Sequence, residues 1–251
     1  MKKISIIIPA YNEQESLPLL YDRMEKLMND MQNYEFEILF VNDGSKDKTL
    51  EIIKDMRQKD NRICYVDFSR NFGKEIAMIA GLDYATGDCV VFMDADLQDP
   101  PELIPELVKY WEEGYDDVYA KRRSRKGETW LKKFTSKVYY RVLQHLTKVE
   151  IQEDTGDFRL LDRRCVNALK KLRESQRNTK SMFSWIGYKK KEVLYDRDPR
   201  VAGKTKWNYI KLMDLAIDRN NIIYNITIKT CYIYFNTNIY SIRYIFYLCN
   251  C

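Results

Sequence analysis

An α/β fold built on a mostly parallel sheet is what this sequence predicts, and three observations predict it. Apolar runs of strand length alternate with apolar stripes at helical spacing through the first 112 residues. The fourth run is continuously apolar, as a strand covered on both faces should be. Polar turns follow each run, which places them all at the carboxyl edge of the sheet, where ligands bind in such folds.

The first unit runs from a strand at Ile4 to Ile8, through a polar turn, into a helix marked by Leu17, Leu20, Met24, Leu27, Met28 and Met31. The second is a strand from Phe36 to Val41, the turn Asn42-Asp43-Gly44-Ser45, and a helix carrying Leu50, Ile52, Ile53 and Met56. The third strand, Ile63 to Phe68, passes through Ser69 to Gly73 into a helix over Lys74 to Ala85. The fourth, Cys89 to Met93, ends in Asp94-Ala95-Asp96-Leu97-Gln98-Asp99-Pro100-Pro101, and a proline-started helix follows over Glu102 to Glu112. Beyond Val118 come a basic run, Lys121 to Lys126, a helix over Glu128 to Leu146, the string Asp154 to Arg159, a helix near Arg163 to Leu172, a strand near Glu192 to Tyr195, and a helix over Asn208 to Asp218.

Composition narrows the function. The chain of 251 residues has 42 Lys+Arg against 37 Asp+Glu, and a net charge of +5 is too mild to imply nucleic acid. Cys64, Cys89 and Cys165 lie far apart with no metal-ligand spacing, and the single histidine, His145, excludes a multi-histidine site. No glycine-rich phosphate cradle follows the first strand, since Pro9-Ala10-Tyr11-Asn12-Glu13 lacks glycine. A diphosphate bound here would need another source of positive charge.

Asp94, Asp96 and Gln98 supply it through a divalent cation. Residues two apart in an extended segment face the same way, so three oxygen donors converge while Ala95 and Leu97 face the core. Mg²⁺ takes one or two protein carboxylates and completes its shell with phosphates and water. The expected cofactor is Mg²⁺ or Mn²⁺.

The strings IIIPAYNE, VNDGSKDKT, RNFGKE, FMDADLQDPPEL, DTGDFRLLDR and R-x-x-GKTKWN resemble, in order from about residue 3 to residue 218, the family 2 glycosyltransferases, and within them bacterial polyprenyl-phosphate glycosyltransferases and dolichyl-phosphate mannose synthases. The resemblance implies a glycosyltransferase-A type, Rossmann-like sheet flanked by helices, with an acceptor-side helical extension. It implies a catalytic domain over 1–218, divided into a nucleotide-sugar half (1–120) and an acceptor and membrane-facing half (121–218). It also implies donor contacts from Pro9, Tyr11, Glu13, Val41, Asp43, Asp94, Ala95, Arg200 and Lys206, and metal ligation by Asp94, Asp96 and Gln98. Asp96 and Asp157 are the implied catalytic acids, and Arg122 and Arg159 the contacts for an acceptor lipid phosphate. Asp157 has the role of base or of acceptor orienter, and chemistry favours the second, because a phosphate monoester is already largely ionised with its second pKa about 6.

The implied reaction moves a hexose from a UDP- or GDP-sugar to a polyprenyl phosphate, with inversion. Alternatives are transfer to a polysaccharide or other hydroxyl acceptor, and a non-catalytic basic module for membranes or nucleic acid. The basic run and the amphipathic helix after it have the profile of an interfacial segment, so the expected location is peripheral, on the cytoplasmic face of the cell membrane. A homo-oligomer is left open.

Residues 219–251 depart from this pattern. They contain no Asp or Glu, and Ile, Asn and Tyr supply 20 of 33 residues. No stretch reaches the roughly 18 clean apolar residues of a membrane span. The resemblance implies two hydrophobic spans there, so the segment is expected to be disordered or a truncated anchor, as a shift of reading frame near Asp218 would produce.

Overall fold

A computed structural model describes residues 1–123, 155–172 and 179–196. In chain order the elements are β1 (Lys2–Ala10), α1 (Ser16–Asp30), β2 (Tyr34–Asn42), α2 (Thr49–Lys59), β3 (Ile63–Asp67), α3 (Lys74–Tyr84), β4 (Cys89–Phe92), a 3-10 turn (Pro101–Leu103) leading into α4 (Ile104–Glu112), and β5 (Asp117–Arg122). After residue 154 come β6 (Thr155–Asp162), α5 (Arg163–Lys171), α6 (Thr179–Trp185) and β7 (Lys190–Tyr195). The expected helices over Glu128 to Leu146 and Asn208 to Asp218, the residues Arg200 and Lys206, and the divergent tail lie outside the described residues.

The seven strands form one sheet in the order β3-β2-β1-β4-β6-β5-β7. β1 pairs in parallel with β2 and β4, β2 with β3, and β5 with β7, while β6 runs antiparallel between β4 and β5. A mostly parallel sheet flanked by helices is therefore what forms. Two of its strands, β5 and β6, were not expected from the sequence.

Both faces are covered, as the apolar runs require. Ile4, Ile6 and Ile8 of β1 pack with α1, α2 and α4 on one face, and Ile7 packs with α3, α5 and α6 on the other. α3 lies close against the sheet, because a Cβ at Gly81 would sit 2.3 Å from Cγ2 of Ile7. The first residue of α3, Lys74, lies at the carboxyl edge, where its side chain meets Asp94.

Register then fixes what gathers at this edge. Ala10, Asn42 and Asp67 lie side by side at the ends of three parallel strands. Phe92 pairs with Arg159, so the start of the antiparallel β6 emerges at the same edge, with Asp157 beyond the end of β4.

The opposite edge is held by a buried carboxylate. Glu37 accepts from the hydroxyl of Ser5 at 2.5 Å, from the amide and hydroxyl of Thr86 at 2.9 and 2.8 Å, and from the ammonium of Lys3 at 3.1 Å. Burial pushes its pKa up, but these donors together outweigh burial and leave it below the usual carboxyl range. An acid whose pKa is lowered by folding adds stability above its unfolded value of about 4.3, and loses it as the pH falls through the folded value. The urea midpoint is therefore expected to decline below about pH 4.3, and Glu37→Gln to lower the midpoint at neutral pH while flattening that decline.

Candidate active site

The loops after β1 and β2 are tied to each other. Asn12, at φ 52°, donates its amide to Oγ of Ser45 at 3.0 Å and accepts from the amide of Lys46 at 2.8 Å. The Glu13 amide donates to Oγ1 of Thr49 at 2.8 Å, while the Glu13 carboxylate accepts from Ser16 at the start of α1. Pro9, Tyr11 and Glu13 are half-buried along this lip. Val41 is fully buried, and its side chain belongs to the core facing α3.

Asp43 binds the next loop. Its carboxylate accepts from the amides of Phe72 and Gly73 at 2.7 and 2.9 Å and from Nδ2 of Asn71 at 2.9 Å. Burial raises its pKa, and the two amides pull the other way. The start of α2 is served by Asp47 instead, which accepts from Thr49 at 3.0 Å. Gly44 makes the approach feasible: at φ +64°, a Cβ there would stand 2.3 Å from the carbonyl carbon of Arg70. Only glycine meets both demands without displacing the neighbouring backbone.

The acid-rich segment after β4 is a turn, which differs from the extended run expected. Leu97 takes a left-handed φ of 62°, and Oδ1 of Asp96 accepts from the Gln98 amide at 3.1 Å. A leucine tolerates this conformation because its side chain, 1% exposed, is locked in the core beside Ala95. The expected burial of Ala95 and Leu97 is observed, but simple alternation is not what aims the acids. Asp96 is 7% exposed and Asp94 half-buried.

Lys74, the first residue of α3, joins the two halves of the site. Its Nζ lies 2.5 Å from Oδ1 of Asp94 and 2.6 Å from Oδ2 of Asp157. Burial alone would push the ammonium's pKa down. The two carboxylates outweigh this and hold it well above the ordinary lysine value, so it stays charged. The neighbouring Glu75 accepts from the Thr179 amide at 3.0 Å, tying α3 to α6 as well. Sequence reading missed Lys74, although a lysine in the first turn of a helix opposes the macrodipole and so hints at a local acid.

Two other residues complete the edge. Arg122, ending β5, has a buried Nε with no partner among the described residues. It stands beside Tyr195, whose hydroxyl donates to Asp99 at 2.9 Å. Burial and the Asp99 charge push that phenol's pKa up, while Arg122 opposes them.

Arg159 requires a correction. It is 1% exposed, ion-paired to the equally buried Asp117 at 3.1 Å and stacked 4.0 Å from the ring of Phe183. Its charge is spent inside the fold, so it is not available to an acceptor phosphate.

The oxygen donors present fit a divalent cation. Asp94 and Asp96 are carboxylates, Gln98 adds an amide, and the ammonium already touching Asp94 shows that this acid is placed to hold positive charge. Among the described residues no group of three or more His, Cys, Asp or Glu is placed to hold a metal ion. Asp94, Asp96 and Gln98 would supply only part of a shell, the remainder being completed by substrate phosphates and water as Mg²⁺ allows.

The family model for glycosyl transferase family 2 matches residues 5–170, which include the acid turn, Lys74 and Asp157. The chain belongs to that family. An uncharacterised glycosyltransferase of Synechocystis sp. (sll0501) is 54% identical over 216 residues, 86% of this chain and 68% of that protein. A prophage bactoprenol glucosyl transferase homologue of Escherichia coli is 42% identical over 86% of this chain and 70% of its own length. The chain thus spans about two thirds of the length of these curated relatives.

Solved structures agree on the fold of this family 2 glycosyltransferase. A glucosyl-3-phosphoglycerate synthase from Mycobacterium tuberculosis, in complex with Mn²⁺, UDP and phosphoglyceric acid, superposes with a TM-score of 0.60 at 19% identity, covering 88% of this chain and 76% of that one. The mannosyltransferase PcManGT from Pyrobaculum calidifontis, in complex with GDP-Man and Mn²⁺, gives 0.55 at 18% identity, covering 81% and 58%. The glycosyltransferase-A fold is shared with both. Among the described residues no helix is long and apolar enough to cross a membrane.

Proposed function

We propose that this glycosyltransferase moves a hexose from a UDP- or GDP-sugar to a polyprenyl phosphate, by single displacement with inversion. The observation that carries the reading is the meeting of Asp94, Asp157 and Lys74 at the carboxyl edge, in a chain 42% identical to a bactoprenol glucosyl transferase homologue.

Pro9, Tyr11, Glu13 and Asp43 border the nucleoside in this reading. Tyr11 offers a ring face, and Asp43 a carboxylate held in place by the β3–α3 loop. Asp94, Asp96 and Gln98 would hold a divalent cation. The cation, when bound, stabilises the negative charge that develops on the leaving diphosphate.

A phosphate oxygen of the acceptor forms the new bond to the anomeric carbon. The bond from that carbon to the diphosphate breaks, and the nucleoside diphosphate leaves with the electron pair. Asp157 orients the acceptor; its Oδ2 already receives an N–H from Lys74, and an ionised phosphate needs no base. Arg122, at the end of β5 beside Tyr195, meets the acceptor phosphate.

The test is a panel of UDP- and GDP-hexoses incubated with the full chain, undecaprenyl phosphate and Mn²⁺. One donor should yield a lipid-phosphate sugar of inverted anomeric configuration, and chelation of the metal should stop it. Transfer to a sugar hydroxyl in place of the lipid phosphate would overturn the acceptor assignment.

A further inference from the structure

Tyr195 ends β7 at the carboxyl edge of the sheet, and no donor or acceptor contact accounts for it. Its side chain is buried, and a phenol set that deep needs a partner for its hydroxyl. The partner is Asp99, buried in the segment after β4, whose Oδ1 accepts from the phenol at 2.9 Å. The ring is held as well, edge-on to Phe158 with centroids 6.1 Å apart.

The neighbour on the other side is Arg122. β5 and β7 pair in parallel with Arg122 opposite Tyr195, so the two side chains leave the sheet on one face. That face is fixed by Val118 and Ala120, four and two residues before Arg122, which lie in the same core cluster as Tyr195. The guanidinium is near enough to pull the phenol's pKa down against burial and the Asp99 charge, which together win and keep the phenol protonated.

The proton count then sets a direction. A phenol has one proton to give and lone pairs to receive with, an ionised carboxylate only accepts, and a guanidinium only donates. With its proton committed to Asp99, Tyr195 has only an acceptor to turn toward Arg122.

We propose that Tyr195 is a positioning residue that aims Arg122 at the acceptor phosphate, its hydroxyl giving to Asp99 and receiving from the guanidinium. The inference rests on the reading of Arg122 as the contact for that phosphate. Donation from Tyr195 also offsets part of the Asp99 charge, so the carboxylate competes less with phosphate for the guanidinium. The segment after β4 and the end of β5 are thereby joined through one hydroxyl.

The experiment is equilibrium binding of undecaprenyl phosphate in detergent micelles to the full chain, compared with undecaprenol, which lacks the phosphate. The reading is the ratio of the two dissociation constants. Tyr195→Phe keeps the ring against Phe158 and is expected to lower the preference for the phosphate about tenfold, the loss of one hydrogen bond to a charged group, with undecaprenol affinity unchanged. Arg122→Gln should lower the preference at least as far, and adding Tyr195→Phe to it should lower it no further. A Tyr195→Phe chain with the wild-type preference, an equal loss toward both lipids, or a further loss on top of Arg122→Gln would each overturn the positioning role while leaving Arg122 as the phosphate contact. A preference that Arg122→Gln does not alter, or a wild-type chain without one, would remove that contact too, an outcome distinct from the other three.

Discussion

Replacing Asp96 with alanine is expected to lower sugar transfer by about a thousandfold, the upper end of what one well-placed electrostatic group contributes. Asp96 is the more deeply set of the two acids in the turn, at 7% exposed, and one of its oxygens is fixed by the Gln98 amide. The charge therefore has little freedom to move, which is what makes its removal costly. Folding should survive, because Ala95 and Leu97 anchor the turn in the core independently of the carboxylate. Asp96→Asn separates the two roles: its side-chain oxygen can still accept from Gln98, while its charge is gone. Steady-state transfer assays on both variants make the comparison, and an Asp96→Asn enzyme with near wild-type turnover would contradict a metal at this position.

The second large effect concerns stability. Arg159→Ala is expected to destabilise the domain by about 3–5 kcal/mol, the cost of breaking a buried ion pair from one side. Asp117 would be left fully buried without the guanidinium that sits 3.1 Å away, and Phe183 would lose the group stacked against its ring. Replacing both partners with apolar residues, as Arg159→Met with Asp117→Leu, should recover most of the loss, because no uncompensated charge then remains. Urea unfolding followed by circular dichroism measures both variants. A small loss in Arg159→Ala would mean that water reaches Asp117 or that the carboxylate takes up a proton, in the direction burial already pushes it.

That same pair shows where sequence reading stops. β1, β2 and β4 are legible because their apolar runs are covered on both faces and punctuated by polar turns. β5 and β6 are not, since Asp117 opens one and Arg159 lies inside the other. Taken singly each residue looks like surface, and they cancel only across the antiparallel pairing. The acids of the site were visible as a spaced pair after a buried strand, but their aim was not, because Leu97 leaves the extended region under pressure from the core. Lys74 was least visible of all. It stands 83 positions from Asp157, and only the antiparallel entry of β6 and the close seating of α3 bring them together.

The contact between Gly44 and the backbone of Arg70 also has a mechanical meaning. Two successive crossover loops touch main chain to main chain, with no side chain between them to flex. Displacing the first of these loops would therefore press on the second, which leads directly into the helix start that bears Lys74.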